Sequence, residues 1–96
     1  MLISKENADI RHSILDFENK INEMHIRFQR YRQRVEQTLP DWEGLERDLI
    51  VFSRRKINDL ELAKQLDRVM YKFQNRKKIW LGWVDDYHQV KETHRT

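Results

Sequence analysis

The chain has 96 residues, 36% of them charged and 39% apolar, with two glycines, one proline, no cysteine and a formal net charge of +3. That composition excludes disulfides, thiolate chemistry and zinc–cysteine sites, and no apolar run approaches the ~18 residues of a membrane span. The modest positive charge permits an anionic partner without demanding one. Few breakers and many Glu, Gln, Lys, Arg and Leu predict one small all-α domain over residues 1–96. Met1 to Ile10 holds no apolar stretch of signal-peptide length, so the expected location is cytoplasmic.

Helix 1 is predicted from about Ser4 to Thr38. Within it Ile10, Ile14, Phe17, Ile21, Met24, Phe28, Tyr31 and Val35 recur at alternating steps of four and three. A period of 3.5 residues is the mark of a helix supercoiled against another helix, because a free amphipathic helix drifts with its 3.6-residue turn. Pro40 forces Leu39 out of helical geometry, which sets a turn at residues 39–41. Asp41 then offers an N-cap oxygen, with Glu43 and Glu46 near the positive end of the next helix dipole.

Helix 2 is predicted from Trp42 to about Glu92. Leu45, Leu49, Phe52, Leu60, Ala63, Leu66, Met70, Phe73, Trp80, Val84 and Tyr87 form one drifting apolar stripe. A second break is signalled near Asn58, where Asn58 and Glu61 have capping-box spacing and polar Ser53 to Lys56 thin the stripe. Continuity through that point is the reading adopted here. The fold class is therefore an antiparallel helical hairpin.

Charge order supports folding back at Pro40, with residue i opposite residue 80 minus i. Arg27, Arg30, Arg32 and Arg34 then meet Asp41, Glu43, Glu46 and Asp48. Glu18 and Glu23 meet Arg54, Arg55 and Lys56; Lys20 meets Asp59 and Glu61; Glu6 and Asp9 meet Arg68 and Lys72. Each exposed pair contributes only about 0–1 kcal/mol, but matched blocks set orientation. In that register helix 2 outruns helix 1 by ~25 Å at 1.5 Å per residue, leaving Ile79, Trp80, Trp83, Val84, Tyr87 and Val90 uncovered. So much aromatic surface invites association. The expected solution is a homodimer of hairpins closing into a four-helix bundle, or capture of another protein through Trp80, Trp83, Val84 and Tyr87.

The basic residues Arg54, Arg55, Lys56, Arg76, Lys77 and Lys78 are the candidate anion contacts. In the hairpin register the 76–78 triplet has no acidic partner. A small basic nucleic-acid-binding protein is thus the alternative, with cations on phosphates. Phe28 and Tyr31 lie in the seam and are expected to be buried rather than stacked on bases. Catalytic signals are lacking. Ser13 and Ser53 have no evident activator, and Gly44 and Gly82 form no phosphate loop. His12, His25, His88 and His94 read as surface residues, with Asp85 and His88 too few to hold a metal. No cofactor is expected and no enzymatic role is assigned. The leading reading is an assembly, adaptor or regulatory subunit working by coiled-coil recognition.

Trp42-Glu43-Gly44, at the bend of a chain just under 100 residues, resembles the Trp-x-Gly turn of the WXG100 family. That resemblance implies a small secreted helical-hairpin dimer, with Phe52 as a later aromatic. The family's tail pattern, a Tyr followed four residues later by an acid, fails after Tyr87, where position 91 is Lys and Glu92 is one residue too far. The charge-dense composition also departs from the family. The seam, not this tripeptide, carries the leading reading.

Overall fold

The computed structural model describes the backbone of residues 5–93 and the side chains of residues 5–88. The predicted start at Ser4 and the side chains of Val90 and His94 lie outside those limits. The described residues form α1 (Lys5–Arg32), α2 (Trp42–Ser53) and α3 (Leu60–Thr93), with no strand among them. An all-α fold is what the composition predicts. Three helices, however, replace the two long ones expected.

Two local events account for the extra breaks. First, α1 stops before Thr38 because Arg34 adopts φ 64°. The Arg34 amide donates to the Tyr31 carbonyl at 3.1 Å and the Val35 amide to the Arg30 carbonyl at 2.9 Å. Those two bonds make a Schellman terminus, normally built with glycine at the left-handed position. Here an arginine takes it, its guanidinium 5.0 Å from the Tyr87 ring centroid. Val35, read as the last seam residue, is consequently 71% exposed.

Second, the predicted continuous helix 2 ends at Ser53. Its hydroxyl donates to the Ile50 carbonyl at 2.6 Å, and the amides of Arg54 and Arg55 close short bonds to Val51 and Phe52 carbonyls. Such local bonds compete with continued helix. Three exposed cations in succession, Arg54 to Lys56, then favour a helix C-terminus over a helix interior. α3 starts on Asp59, whose Oδ1 accepts the Leu62 amide at 3.0 Å, so the cap is Asp59 and not Asn58. At the start of α2 the expected cap holds: Asp41 Oδ1 accepts the Gly44 amide at 3.0 Å.

The chain folds back at Pro40 as predicted, since Phe17 of α1 packs on Phe52 of α2 at 5.4 Å and Arg27 shares a groove with Asp41. The third helix reverses direction again. Glu18 meets Lys72, His25 meets Arg76, and His25 also meets Trp80, at sequence separations of 54, 51 and 55. Further up, Tyr31 stacks on Tyr87. A nearly constant separation means that α1 and α3 run parallel. The expected register, residue i against 80 minus i, is corrected. Lys72 pairs with Glu18 at 3.5 Å, Lys77 with Glu46 at 2.7 Å, and Lys20 with Asp16 one turn away on its own helix. Charge blocks were a poor guide because exposed pairs are too weak to override apolar packing.

The result is a rod of 67 × 18 × 16 Å. Its core runs along the α1/α3 contact. Ile10, Ile14, Ile21, Met24 and Phe28 come from α1, Leu62, Leu66, Val69, Phe73 and Trp80 from α3, and Leu45 and Leu49 from α2. Each such side chain contributes about 1.5–3 kcal/mol on full burial. α2, with 12 residues, roofs only the middle of the rod. The connector after it carries Ile57 against the same core. Tyr31 lies beside Tyr87, so α1 runs alongside the aromatic end of α3 and the expected overhang of ~25 Å does not exist. With three helices per chain, two copies would also bring six helices together rather than four.

Candidate functional site

The four residues expected to form a contact surface, Trp80, Trp83, Val84 and Tyr87, sit against the body of the chain. Trp80 is 0% exposed. Phe28 stacks on it at 4.9 Å with planes 6° apart, and Phe73 meets it edge-on at 5.9 Å. Trp83 and Val84 are half-buried and pack on the core. Tyr87 is half-buried against Tyr31 at 5.0 Å. Parallel pairing of α1 and α3 is the cause, because it brings the aromatic end of α3 alongside Phe28 and Tyr31 rather than past them.

One polar cluster lies within this layer. The Trp80 indole Nε1–H donates to His25 Nδ1 at 3.0 Å. On the other side of the same imidazole, Arg76 approaches Nε2 at 3.4 Å. The Trp83 ring lies 5.4 Å from the imidazole and takes the Arg32 guanidinium at 5.0 Å. Burial, and secondarily the Arg76 charge, holds the His25 pKa below its ordinary 6.5. His25 read from the sequence as a surface histidine. In the antiparallel register it fell opposite Arg55 on the expected continuous helix 2; only the parallel register aims it at Trp80.

The six candidate anion contacts do not gather into one site. Arg54, Arg55 and Lys56 are exposed on the connector after α2, and Lys78 is exposed on α3. Lys77 bonds Glu46 and lies 5.0 Å from the Trp42 ring centroid, so the expectation that 76–78 lacks an acidic partner is corrected. Arg76 is taken up with His25. Among the described residues, no three His, Asp or Glu side chains converge to hold a metal, and no helix is long and apolar enough to cross a membrane.

The least covered apolar side chains of α3 lie elsewhere. Tyr71 is 71% exposed, Leu60 in the first turn 69%, Ile79 40% and Leu81 36%. A β-carbon built on Gly82 would meet nothing within 4 Å. Positions 71, 75, 79 and 82 follow one another at steps of four, four and three, so they share a helix face. Ile79, one turn before Trp83, borders the aromatic surface expected from the sequence, while Tyr71 and Gly82 lie further round the helix.

Gly44 has a purely local explanation. It is buried, and a β-carbon there would strike the Asp41 carboxylate that caps α2. The Trp42-Glu43-Gly44 tripeptide therefore opens the short middle helix of a three-helix chain, not the second arm of a two-helix hairpin. No family model, curated protein or solved structure matches the chain.

Proposed function

We propose that the chain is a non-enzymatic helical assembly module, an adaptor or regulatory subunit, that acts by helix–helix recognition through the outward face of α3. The observation that carries this reading is Gly82. It sits inside a 34-residue helix, costs about 1 kcal/mol there relative to alanine, and has open space among the described residues where a β-carbon would stand. A glycine on an exposed stripe beside Ile79 and Tyr71 lets another helix approach closely. The heptad seam of α1 and its in-register pairing with α3 support the same coiled-coil style of contact.

The partner in this reading is a second copy. Along α3, Lys64 and Arg68 with Asp67 between them precede the stripe, a net positive flank, and the carboxylates Asp85 and Asp86 follow it. A two-fold axis that laid one α3 antiparallel on another would bring those opposite signs together. A cytoplasmic site of action belongs to the proposal on the sequence reading alone.

Sedimentation over a concentration series, with wild type and Gly82→Leu compared, tests it. The substitution projects into open space, so circular dichroism stays unchanged while the dimer is lost. Wild-type protein that stays monomeric throughout would refute self-association. A shift of generic duplex or single-stranded nucleic acid that weakens steeply with salt would favour the basic alternative instead.

A further inference from the structure

We propose that His25 is a proton-sensitive latch between α1 and α3: neutral, it accepts the buried indole N–H of Trp80, and protonated, it must release it. The donors around the ring fix the tautomer. A neutral imidazole has one lone pair for a hydrogen bond, and an imidazolium has none. Two donor groups converge on this ring, Trp80 Nε1–H at 3.0 Å from Nδ1 and the Arg76 guanidinium at 3.4 Å from Nε2. The indole is donor-only and its side chain is 0% exposed, so the shorter bond takes the lone pair and the proton sits on Nε2.

A second proton would point N–H groups at both neighbours and set a cation beside Arg76. Nothing nearby compensates. Ile21, Asn22, Phe28 and Gln29, one turn away on α1, carry no charge. Glu18, lower on the same α1/α3 groove, is bonded to Lys72. The Trp83 ring already takes Arg32. Among the described contacts α2 presents no charged group to the imidazole. The lowered His25 pKa has the same sign as this geometry. Release leaves the Trp80 N–H unpaired in the middle of the core, which loosens the aromatic half of the α1/α3 contact.

The linkage follows. A histidine with a depressed native pKa binds fewer protons folded than unfolded. Stability is therefore full above the unfolded value of about 6.5, falls as pH drops below it, and stops falling below the folded pKa. Between about pH 7.5 and about pH 5.5, complete exclusion of the proton raises the unfolding constant by up to about tenfold.

NMR of the wild-type chain over that range, with urea unfolding at each end, tests the latch. The expected result is a His25 midpoint below 6.5, with the Trp80 Nε1–H resonance losing protection at the same midpoint. His25→Gln keeps an acceptor without titrating, and it flattens the pH dependence of unfolding in this window. A His25 midpoint at or above 6.5, or an indole resonance that does not follow it, overturns the proposal. Should the glutamine variant fail to fold, the two wild-type resonances decide the matter alone.

Discussion

Toward the start of the two long helices the α1/α3 contact is aliphatic, made by Ile10, Ile14, Leu62, Leu66 and Val69. Toward their ends it is aromatic, with Phe28 flat on Trp80 and Tyr31 on Tyr87. Both halves obey one parallel register, but they hold it differently. Methyl and methylene groups pack without direction, so the first half accepts any neighbour of the right volume. The second half is fixed by ring planes and by one hydrogen bond to His25. Direction makes it more specific, and also gives it something that a proton can take away.

The largest effect expected is from the aromatic half. Trp80→Ala removes a fully buried indole and its stacking partners' contacts, at about 3–5 kcal/mol. Against a total of about 5–15 kcal/mol for an ordinary domain, much of the folded population is at risk. In the aliphatic half, Ile14→Val trims one methylene from an equally buried side chain, at about 0.5–1.5 kcal/mol. Urea unfolding of both variants gives the two values. Equal losses would show that the halves do not differ in the way their chemistry implies.

How much of this could be read beforehand depends on which force did the deciding. The seam of α1 was legible almost residue for residue, because burial follows apolar spacing: Ile10, Ile14, Ile21, Met24, Phe28 and Tyr31 are all interior. Pro40 and the Asp41 cap were legible because their chemistry is local. The end of α1 was not. It rests on a left-handed arginine, and nothing in the composition of Arg32 to Val35 announces one. The second break was signalled and then passed over, since the apolar stripe runs on through it while Ser53 and Asp59 close the helices on either side. Missing that break reversed α3, and with α3 reversed every pairing expected between α3 and α1 changed. The candidate surface failed for that one reason: Trp80 looked exposed only while its helix ran the wrong way.

α2 stands between the two halves, so its ends offer a finer test. Asp41→Ala and Asp59→Ala each remove a side-chain bond to a helix amide, at about 1 kcal/mol apiece. The readouts should differ although the sizes match. α2 has 12 residues and buries Gly44, Leu45 and Leu49, so losing Asp41 is expected to open it locally. Hydrogen exchange would then speed up in residues 42–53 alone. Asp59 starts the helix that carries five of the twelve core residues, so its loss should lower protection throughout α1 and α3. Uniform exchange in both variants would mean that α2 is not a separate cooperative unit.

The smallest effect concerns Gly44, and its sign is the informative part. In the wild-type chain a β-carbon at this position would collide with the Asp41 carboxylate, so Gly44→Ala displaces the cap. That loss of about 1 kcal/mol is offset by the better helix propensity of alanine, leaving a net change of a few tenths. With Asp41→Ala already in place no carboxylate is in the way, and the same substitution should stabilise by roughly 0.5–1 kcal/mol. A double-mutant cycle on residues 41 and 44, read by urea unfolding, should therefore show coupling near ~1 kcal/mol. Additive behaviour would mean that the carboxylate simply turns aside, and that Gly44 is present for a reason other than its cap.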